Sequence, residues 1–297
     1  MNWKKRSLAV LSALFLWLPL CAPAAEKPQV RALDPYTAML VQFIGGALVD
    51  VKSYTAWDAK DQLKLDVKLL LEDESADPPL FVMNGAQYAQ FVKDYRREGR
   101  RSQWLSASPG VAKRGNLFFL YEDSEVTVGD VCRFFGEPAN LPFTVQKIMV
   151  LLSGLYPEKY GYFQRRLGEF DARLRSTLLS GRKLLAGRSV LDFGGVYGGF
   201  LKASGCRLSQ PTAEETDRFL NLAGAKDPKL AKKLRDEIWK DLRIYVMDQY
   251  TDPRIKAALA DKPGAFYISP PRGNDDPLFF LHRLMLVLGS APGPKVK

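Results

Sequence analysis

The sequence predicts an α/β fold made of two αβα sandwich lobes with mostly parallel sheets, joined by one long backbone helix. Short apolar strand segments alternate with amphipathic helical segments in both halves of the chain, which is typical of parallel sheets. One uninterrupted helical pattern lies between the halves. About 270 residues follow a predicted signal peptide, enough for two domains with their own cores. The predicted divisions are 1–24, 25–156, 157–181 and 182–297.

The N-terminus has the pattern of a cleavable secretory signal. Three basic residues at 4–6 precede an apolar run over 8–20 and an Ala-Pro-Ala motif at 22–24. The run is shorter than the roughly 20 residues that span a bilayer. Cys21 raises a lipoprotein alternative, but Leu20 stands where such a signal needs a small residue. We therefore expect export to the periplasm and no membrane span after signal cleavage.

Charge and cysteine content narrow the possible partners. Removing residues 1–24 leaves 40 basic and 33 acidic residues, a formal charge of +7. The only basic cluster is formed by the arginines at 96, 97, 100 and 101, which indicates a solvated helix end and not a nucleic-acid surface. Cys132 and Cys206 form either one disulfide in an oxidising compartment or two buried thiols. We expect a monomer with no nucleic-acid partner.

The first half begins with a helix that ends at the Gly45-Gly46 pair and leads into a strand through Val51. Residues 80–83 predict a short buried strand, which the Asn84-Gly85 turn ends. Helical spacing of apolar residues follows over 86–97. A further strand is predicted over 117–121.

The connecting helix is the clearest element in the sequence. It begins at Pro157, a residue favoured in the first helical turn, and Gly181 is predicted to end it. Between them, apolar side chains recur at steps of three and four residues from Tyr160 to Leu178. At about 1.5 Å per residue this helix is some 35 Å long, enough to run the height of a domain.

The second half repeats the alternation of strands and helices. Thr212 and Glu215 have the spacing of a helix capping box. Strands are predicted over 189–193, 243–247 and 265–269, and helices over 195–204, from 212, over 228–241, 253–261 and 277–288.

The glycine-rich segment 190–199 is similar to the loop by which methyltransferases bind S-adenosylmethionine. Such a loop needs glycines at alternate positions so that the backbone approaches the cofactor, and Val196 stands at the middle position. The sequence also lacks G-x-S-x-G and H-E-x-x-H motifs and has a single histidine. We therefore expect no enzyme, and a methyltransferase is the enzyme alternative.

Together with its neighbours, the same segment resembles the centre of the zinc/manganese solute-binding proteins of ABC importers. In that family a proline-led helix joins two lobes, and a strand then enters the cleft before an aromatic-rich helix. The matching segments are 156–160, 187–193, 197–200, 245–260, 269–276 and, at the front, 40–51. The resemblance implies a receptor that holds a divalent metal ion as its transported ligand and delivers it to an ABC permease in the inner membrane.

The metal ligands expected of that family are largely missing. Such receptors present about three histidines and a carboxylate, whereas the one histidine here, His282, lies in an apolar helical pattern that predicts a core or helix-face position. Matched by position, the resemblance implies Asp58 in the first ligand loop, Glu137 or Asn140 in the second, Gly194 or Gly195 in place of the histidine in the third with Asp192 just before, and Asp275 or Asp276 in the fourth. Carboxylates at these positions would suit a harder, oxygen-liganded ion.

Two further interpretations remain open. In the first, the cleft holds a different small ligand, with Trp57, Phe193 and Tyr197 as aromatic walls and Arg272 as a charged contact. Alternatively, the protein binds no small solute and docks a partner protein, since a fold can outlast its site. We expect a receptor whose ligand site is degenerate or reassigned.

Overall fold

The computed structural model describes residues 27–73, 77–102, 116–121 and 128–291. The predicted signal peptide and Cys21 lie outside these residues. Within them, no helix combines the length and the apolar character needed to cross a bilayer.

The first half contains a four-stranded parallel sheet. Its strands are β1 (Gln29–Ala32), β2 (Asp50–Ser53), β5 (Leu80–Val82) and β6 (Leu117–Phe119), in the order β2-β1-β5-β6. A two-stranded antiparallel hairpin, β3 (Thr55–Trp57) and β4 (Leu63–Leu65), follows β2. The hairpin was not predicted, because three-residue strands are too short to show a clear alternation.

The helices of the first half are α1 (Pro35–Gly45), α2 (Val67–Glu72), α3 (Gly85–Ser102), α4 (Val128–Phe135) and α5 (Leu141–Leu155). The predicted end of α1 at a glycine pair is confirmed, and Gly46 adopts a positive φ of 54°. The sequence interpretation missed α4 and α5. The outer positions of α5 include the exposed apolar residues Phe143 and Val150, which weaken its amphipathic pattern.

The connecting helix α6 (Tyr160–Leu185) follows a 3₁₀ turn over Pro157–Lys159. The prediction that Gly181 ends it was wrong, because the helix continues for another turn. Gly181 is buried, and a side chain there would collide with Ser204 and Met285. This glycine therefore permits close packing between helices and does not act as a cap.

The second half repeats the plan with β7 (Ser189–Asp192), β8 (Arg207–Ser209), β9 (Ile244–Met247) and β10 (Ala265–Tyr267), paired in parallel in the order β10-β9-β7-β8. Its helices are α7 (Gly198–Ala203), α8 (Ala213–Gly224), α9 (Pro228–Trp239), α10 (Pro253–Leu259) and α11 (Pro277–Gly289). The Thr212 capping box at the start of α8 is confirmed.

The long helix lies between the two sheets and packs along α1 and α5 on one side and α11 on the other. Its buried residues Phe163, Phe170 and Leu174 belong to a core that also contains Phe81 of the first sheet and Val246 of the second. The two αβα lobes joined by one backbone helix are thus observed as predicted. His282 lies half-buried in α11, as expected for a helix-face residue.

Candidate functional site

Four strands, two from each sheet, end in a polar residue or are closely followed by one. Asp34 and Asn84 follow β1 and β5, Asp192 ends β7, and Asp248 follows β9. The carboxyl ends of parallel strands are where ligands bind in open α/β sheets. We call the region where the strand ends of the two sheets meet the seam.

Asp34 provides the seam with a buried carboxylate from the first half. It is 5% exposed and caps α1, with its Oδ1 accepting hydrogen bonds from the backbone N–H groups of Tyr36 and Thr37, each at 2.9 Å. Its Oδ2 accepts from Gln87 Nε2 at 2.8 Å and from the Thr37 hydroxyl at 2.7 Å. All four donors are neutral, so the hydrogen bonds hold the carboxylate in place without neutralising its charge.

Asp248 provides a second buried carboxylate, from the other half. It is fully buried, and its two oxygens accept from the backbone N–H groups of Tyr250 at 2.9 Å and Val196 at 3.1 Å. The carboxylate lies where a side chain on Gly194 would project, and an added Cβ would overlap it. The Asp248 carboxylate therefore leaves no room for a side chain at Gly194, one of the two glycines that the resemblance matches to the third ligand position.

The glycine-rich loop after β7 is also explained by protein contacts. Gly199 faces Glu137, and Gly136 faces the backbone carbonyl of Val196, in both cases too closely for a Cβ. The Phe200 N–H donates to the Gly136 carbonyl at 3.0 Å. The glycines thus allow two loops to interlock, which accounts for the motif without a methyltransferase cofactor.

Cys132 lies between the two buried carboxylates. Its Sγ is 3.1 Å from the Tyr250 hydroxyl. Burial raises the pKa of the Cys132 thiol to about 11, and the charges of Asp34 and Asp248 add to that rise. The negative charges of both carboxylates therefore act on the buried Cys132 thiol. The two cysteines are not bonded to each other, which resolves their predicted alternatives in favour of free, buried thiols.

Two tyrosines extend this cluster across the seam. Burial raises the pKa of both Tyr36 and Tyr197 well above the usual value, so both hydroxyls stay protonated. Gln249 Nε2 donates to the Tyr36 hydroxyl at 3.4 Å, and this bond joins the residue after Asp248 to the first turn of α1.

A cavity of about 820 Å³ opens beside this cluster. Its walls are the β3–β4 hairpin, the first turn of α1, one face of α3 from Gln87 to Arg97, and the residues after β9. Its lining includes Asp34, Tyr36, Trp57, Cys132, Gln249 and Tyr250. The cavity therefore draws its lining from both halves.

The hairpin is attached to the second half by two hydrogen bonds. The Tyr267 hydroxyl of β10 donates to Asp61 Oδ2 at 2.5 Å, and Arg272 Nη1 donates to the Trp57 carbonyl at 2.8 Å. The Trp57 ring is 8% exposed and meets Tyr36 edge-on, with centroids 6.4 Å apart. Among the described residues, its indole N–H has no hydrogen-bond partner.

The predicted aromatic and charged contacts divide into two groups. Trp57 lines the cavity, and Tyr197 lies in the cluster beside it through its coupling to Tyr36. Arg272 reaches the seam through the Trp57 carbonyl. Phe193 does not line the cavity and instead packs against Phe219 and Tyr245 in the separate core of the second half.

The predicted acidic ligands mostly hold local backbone. Asp58 turns the hairpin by accepting from the N–H groups of Lys60 and Gln62, and the Gln62 bond is the main reason that its pKa is lowered. Asp275 accepts from the Arg272 N–H at 2.7 Å. Asp276 caps α11 by accepting from two of its N–H groups.

Asp276 also pairs with Arg173 of α6 at 2.9 Å. Asp192 is 2% exposed and accepts from the Gly195 N–H at 2.9 Å. Burial raises its pKa, and the nearby Asp248 charge raises it further. Among the described residues, no group of three or more histidine, cysteine, aspartate or glutamate side chains is placed to hold a metal ion. The predicted carboxylate set does not come together as a metal site.

The sequence interpretation missed Asp34 and Asp248 as candidate site residues. The signal that could have found them is an apolar strand followed directly by a polar residue, as in the segments that end at 34, 84, 192 and 248. Because the strands of each sheet are parallel, such residues collect at one edge of the sheet.

No model of a protein family matches this sequence, and no curated protein matches it by sequence. Solved structures do match the fold. A ZnuA deletion mutant with zinc bound aligns with a TM-score of 0.59 and 14% identity, over 91% of this chain and 100% of that one. FpvC from Pseudomonas aeruginosa in complex with Mn²⁺ aligns with a TM-score of 0.55 and 14% identity, over 89% and 97%.

The laminin-binding protein Lmb of Streptococcus agalactiae, described as bifunctional with adhesin and metal transporting activity, aligns with a TM-score of 0.55 and 14% identity, over 90% and 99%. These alignments span nearly the full length of each protein. They confirm the predicted resemblance at the level of fold: the chain has the two-lobed architecture of the ZnuA- and FpvC-type solute-binding proteins.

Proposed function

We propose that this chain is the periplasmic solute-binding protein of an ABC importer and that its inter-lobe site has been reassigned from a metal ion to another small solute. The observation that carries the proposal is the seam, where a cavity lined from both halves lies beside a ligand position occupied by Asp248. The protein would capture its solute between the lobes and deliver it to an inner-membrane permease.

Several features support this role. The fold matches solved structures whose descriptions include zinc-bound, manganese-bound and metal-transporting proteins. The N-terminal pattern is that of a secretory signal. We further propose that residues 25–156 and 182–297 are the two lobes, that 157–181 link them, and that the mature chain works as a monomer.

The proposed loss of metal binding rests on the carboxylates. In Asp34 and Asp248 every oxygen accepts at least one hydrogen bond from within the chain. A hard cation such as Ca²⁺ needs six to eight oxygen ligands, and Zn²⁺ favours histidine or thiolate ligands. The only described thiol in the seam is Cys132, and its raised pKa keeps it protonated.

The test uses the purified mature protein. We expect elemental analysis to find no stoichiometric metal, and the melting temperature to stay constant with zinc, manganese, calcium or iron. A solute that binds should instead raise the melting temperature, because ligand at one hundred times its Kd adds about 2.7 kcal/mol of stability. Stoichiometric metal that is lost on mutation of Asp248→Ala would contradict the reassignment.

The alternative function is a periplasmic interaction protein that binds no small solute. It would be favoured if no compound in a broad solute library, metals included, moved the melting temperature.

A further inference from the structure

We infer that the seam cavity takes a small organic cation: an ammonium compound that also carries a hydroxyl or carbonyl oxygen. The inference rests on the proposed function and names the chemical class of its solute. Four features of the described residues lead to it.

The first feature is buried negative charge without an ion-pair partner. Asp34 and Asp248 are 5% and 0% exposed, and all the donors to their carboxylates are backbone, amide or hydroxyl groups. In the described part of the chain, no arginine or lysine lies within ion-pair distance of either carboxylate, and Lys256 attracts Asp248 from beyond that distance. Burying an unpaired charge is costly, so a positive group entering the seam would be stabilised.

The second feature is the aromatic lining. Trp57, Tyr36 and Tyr250 line the cavity, and Tyr36 is held rigidly because it stacks on Phe135, with the centroids 5.4 Å apart, and meets Trp57 edge-on. The faces of aromatic rings attract ammonium groups, most strongly where water is excluded. The aromatic rings therefore favour a positively charged solute, as the two carboxylates do.

The third feature is a pair of unsatisfied polar atoms. Among the described residues, Trp57 Nε1 and Gln249 Oε1 are buried without hydrogen-bond partners, and both residues line the cavity. A buried polar atom without a partner destabilises a protein, because no hydrogen bond offsets the loss of its contact with water. A solute with an oxygen for the indole N–H and a donor for the amide oxygen would satisfy both atoms, which is the reason for the second functional group.

The fourth feature is the position of the basic residues. Arg97 and Lys64 also line the cavity, but both are exposed and engaged elsewhere: Arg97 pairs with Asp94 at 2.9 Å, and Lys64 donates to Gln62 at 3.2 Å. Asp34, which also lines the cavity, is buried, whereas both of these basic groups are exposed; Asp248 is fully buried and does not itself line the cavity. A volume of about 820 Å³ suits an organic molecule and is far larger than one ion requires.

The test compares ammonium compounds with neutral counterparts of similar shape by calorimetry on the mature wild-type protein. The pairs are choline with 3,3-dimethyl-1-butanol, ethanolamine with ethylene glycol, and 4-amino-1-butanol with 1,4-butanediol. We expect at least one ammonium compound to bind about tenfold or more tightly than its neutral partner. If neutral or anionic solutes bind and no ammonium compound is preferred, the inference is overturned and the proposed function stands. If no solute binds at all, both fail.

Variants then locate the site. Trp57→Leu removes the ring and should weaken binding of the preferred ammonium compound about tenfold, whereas Trp57→Phe keeps a ring and should weaken it less. Asp34→Asn removes a charge at a helix cap, and the matched control is Asp227→Asn, the cap of α9 in the other half. Binding that is insensitive to Trp57→Leu and Asp34→Asn, in variants shown by circular dichroism to be folded, would overturn the assignment to this cavity.

Discussion

The Asp248 carboxylate occupies the space into which a side chain on residue 194 would project. Its Oδ2 accepts from the Val196 N–H on the same loop, so the carboxylate also holds that loop in place. The backbone of Gly194 and the buried Asp248 carboxylate together leave no room for a side chain at residue 194. The chain therefore has the fold of the ZnuA and FpvC structures, but one of its own carboxylates fills this space.

Replacing Gly194 should test this relationship directly. We expect Gly194→Ala to lower the free energy of unfolding by more than about 2 kcal/mol, because the new Cβ and the Asp248 carboxylate cannot share the space. Urea denaturation measures the change. The control is Gly168→Ala in the middle of α6, where a Cβ meets no neighbour and helix propensity predicts a gain of up to about 1 kcal/mol. Equal effects of the two variants would disprove the close approach.

Acidification should affect Asp192 in a characteristic direction. Burial and the Asp248 charge raise its pKa in the folded protein. A group with a raised folded pKa binds protons more readily when folded, so its contribution to stability grows as the pH falls through that pKa towards the unfolded value and is lost as the pH rises. Wild-type protein should therefore gain stability relative to Asp192→Asn as the pH falls from neutrality towards about 4, the ordinary pKa of an aspartate. A pH-independent difference in urea midpoints would argue against a raised pKa.

The ion pair of Arg31 and Asp73 should be sensitive to removal of either partner. The side chains are 2% and 4% exposed, Arg31 Nη2 donates to Asp73 Oδ1 at 2.8 Å, and the Tyr54 hydroxyl donates to Oδ2 at 2.9 Å. Arg31→Met should lower the stability by about 3–5 kcal/mol, because it leaves a buried carboxylate without its cation. The double variant with Asp73→Asn should lose less than the sum of the single variants. Additive losses in the denaturation cycle would mean that the two groups do not interact.

The thiols of Cys132 and Cys206 should resist alkylation in the folded state. Burial raises the pKa of both Cys132 and Cys206 to about 11, and the thiolate is the reactive form. With iodoacetamide at about pH 8, we expect mass spectrometry to show no modification of native protein and two modified cysteines in denaturant. Rapid modification of native Cys132 would indicate that the seam opens to solvent.

The bond between Tyr267 and Asp61 should control the hairpin more than the whole fold. The pair is partly exposed, so Tyr267→Phe should change the free energy of unfolding by less than about 1 kcal/mol. It should nevertheless speed amide hydrogen exchange at residues 58–62, because the Arg272 contact to the Trp57 carbonyl would be the remaining hydrogen bond between the hairpin and the second half among the described residues. Unchanged exchange would show that the bond does not anchor the hairpin.

Local sequence patterns determined the order of most strands and helices, because apolar periodicity and caps act over a few residues. The start of α6 near Pro157, the Thr212 capping box and the parallel strand pattern of both halves were predictable for this reason. The end of α6 was not. Gly181 has the local signal of a helix stop, but packing against Ser204 and Met285 keeps the helix intact.

The candidate site could not be predicted from local pattern, because it depends on contacts between residues far apart in the chain. Local pattern could place Asp192 and Asp248 at strand ends, but only the pairing of β7 with β9 brings Asp248 into the space beside Gly194. Likewise, Trp57 and Gln249 share a cavity because α6 brings the two sheets together, not because of any motif around either residue. The sequence by itself determined the fold and showed that the chain has a single histidine. Only the tertiary structure showed that the Asp248 carboxylate fills the space beside Gly194. The reason is that side chains adjust to one another in volume and charge across distances that a local sequence pattern does not cover.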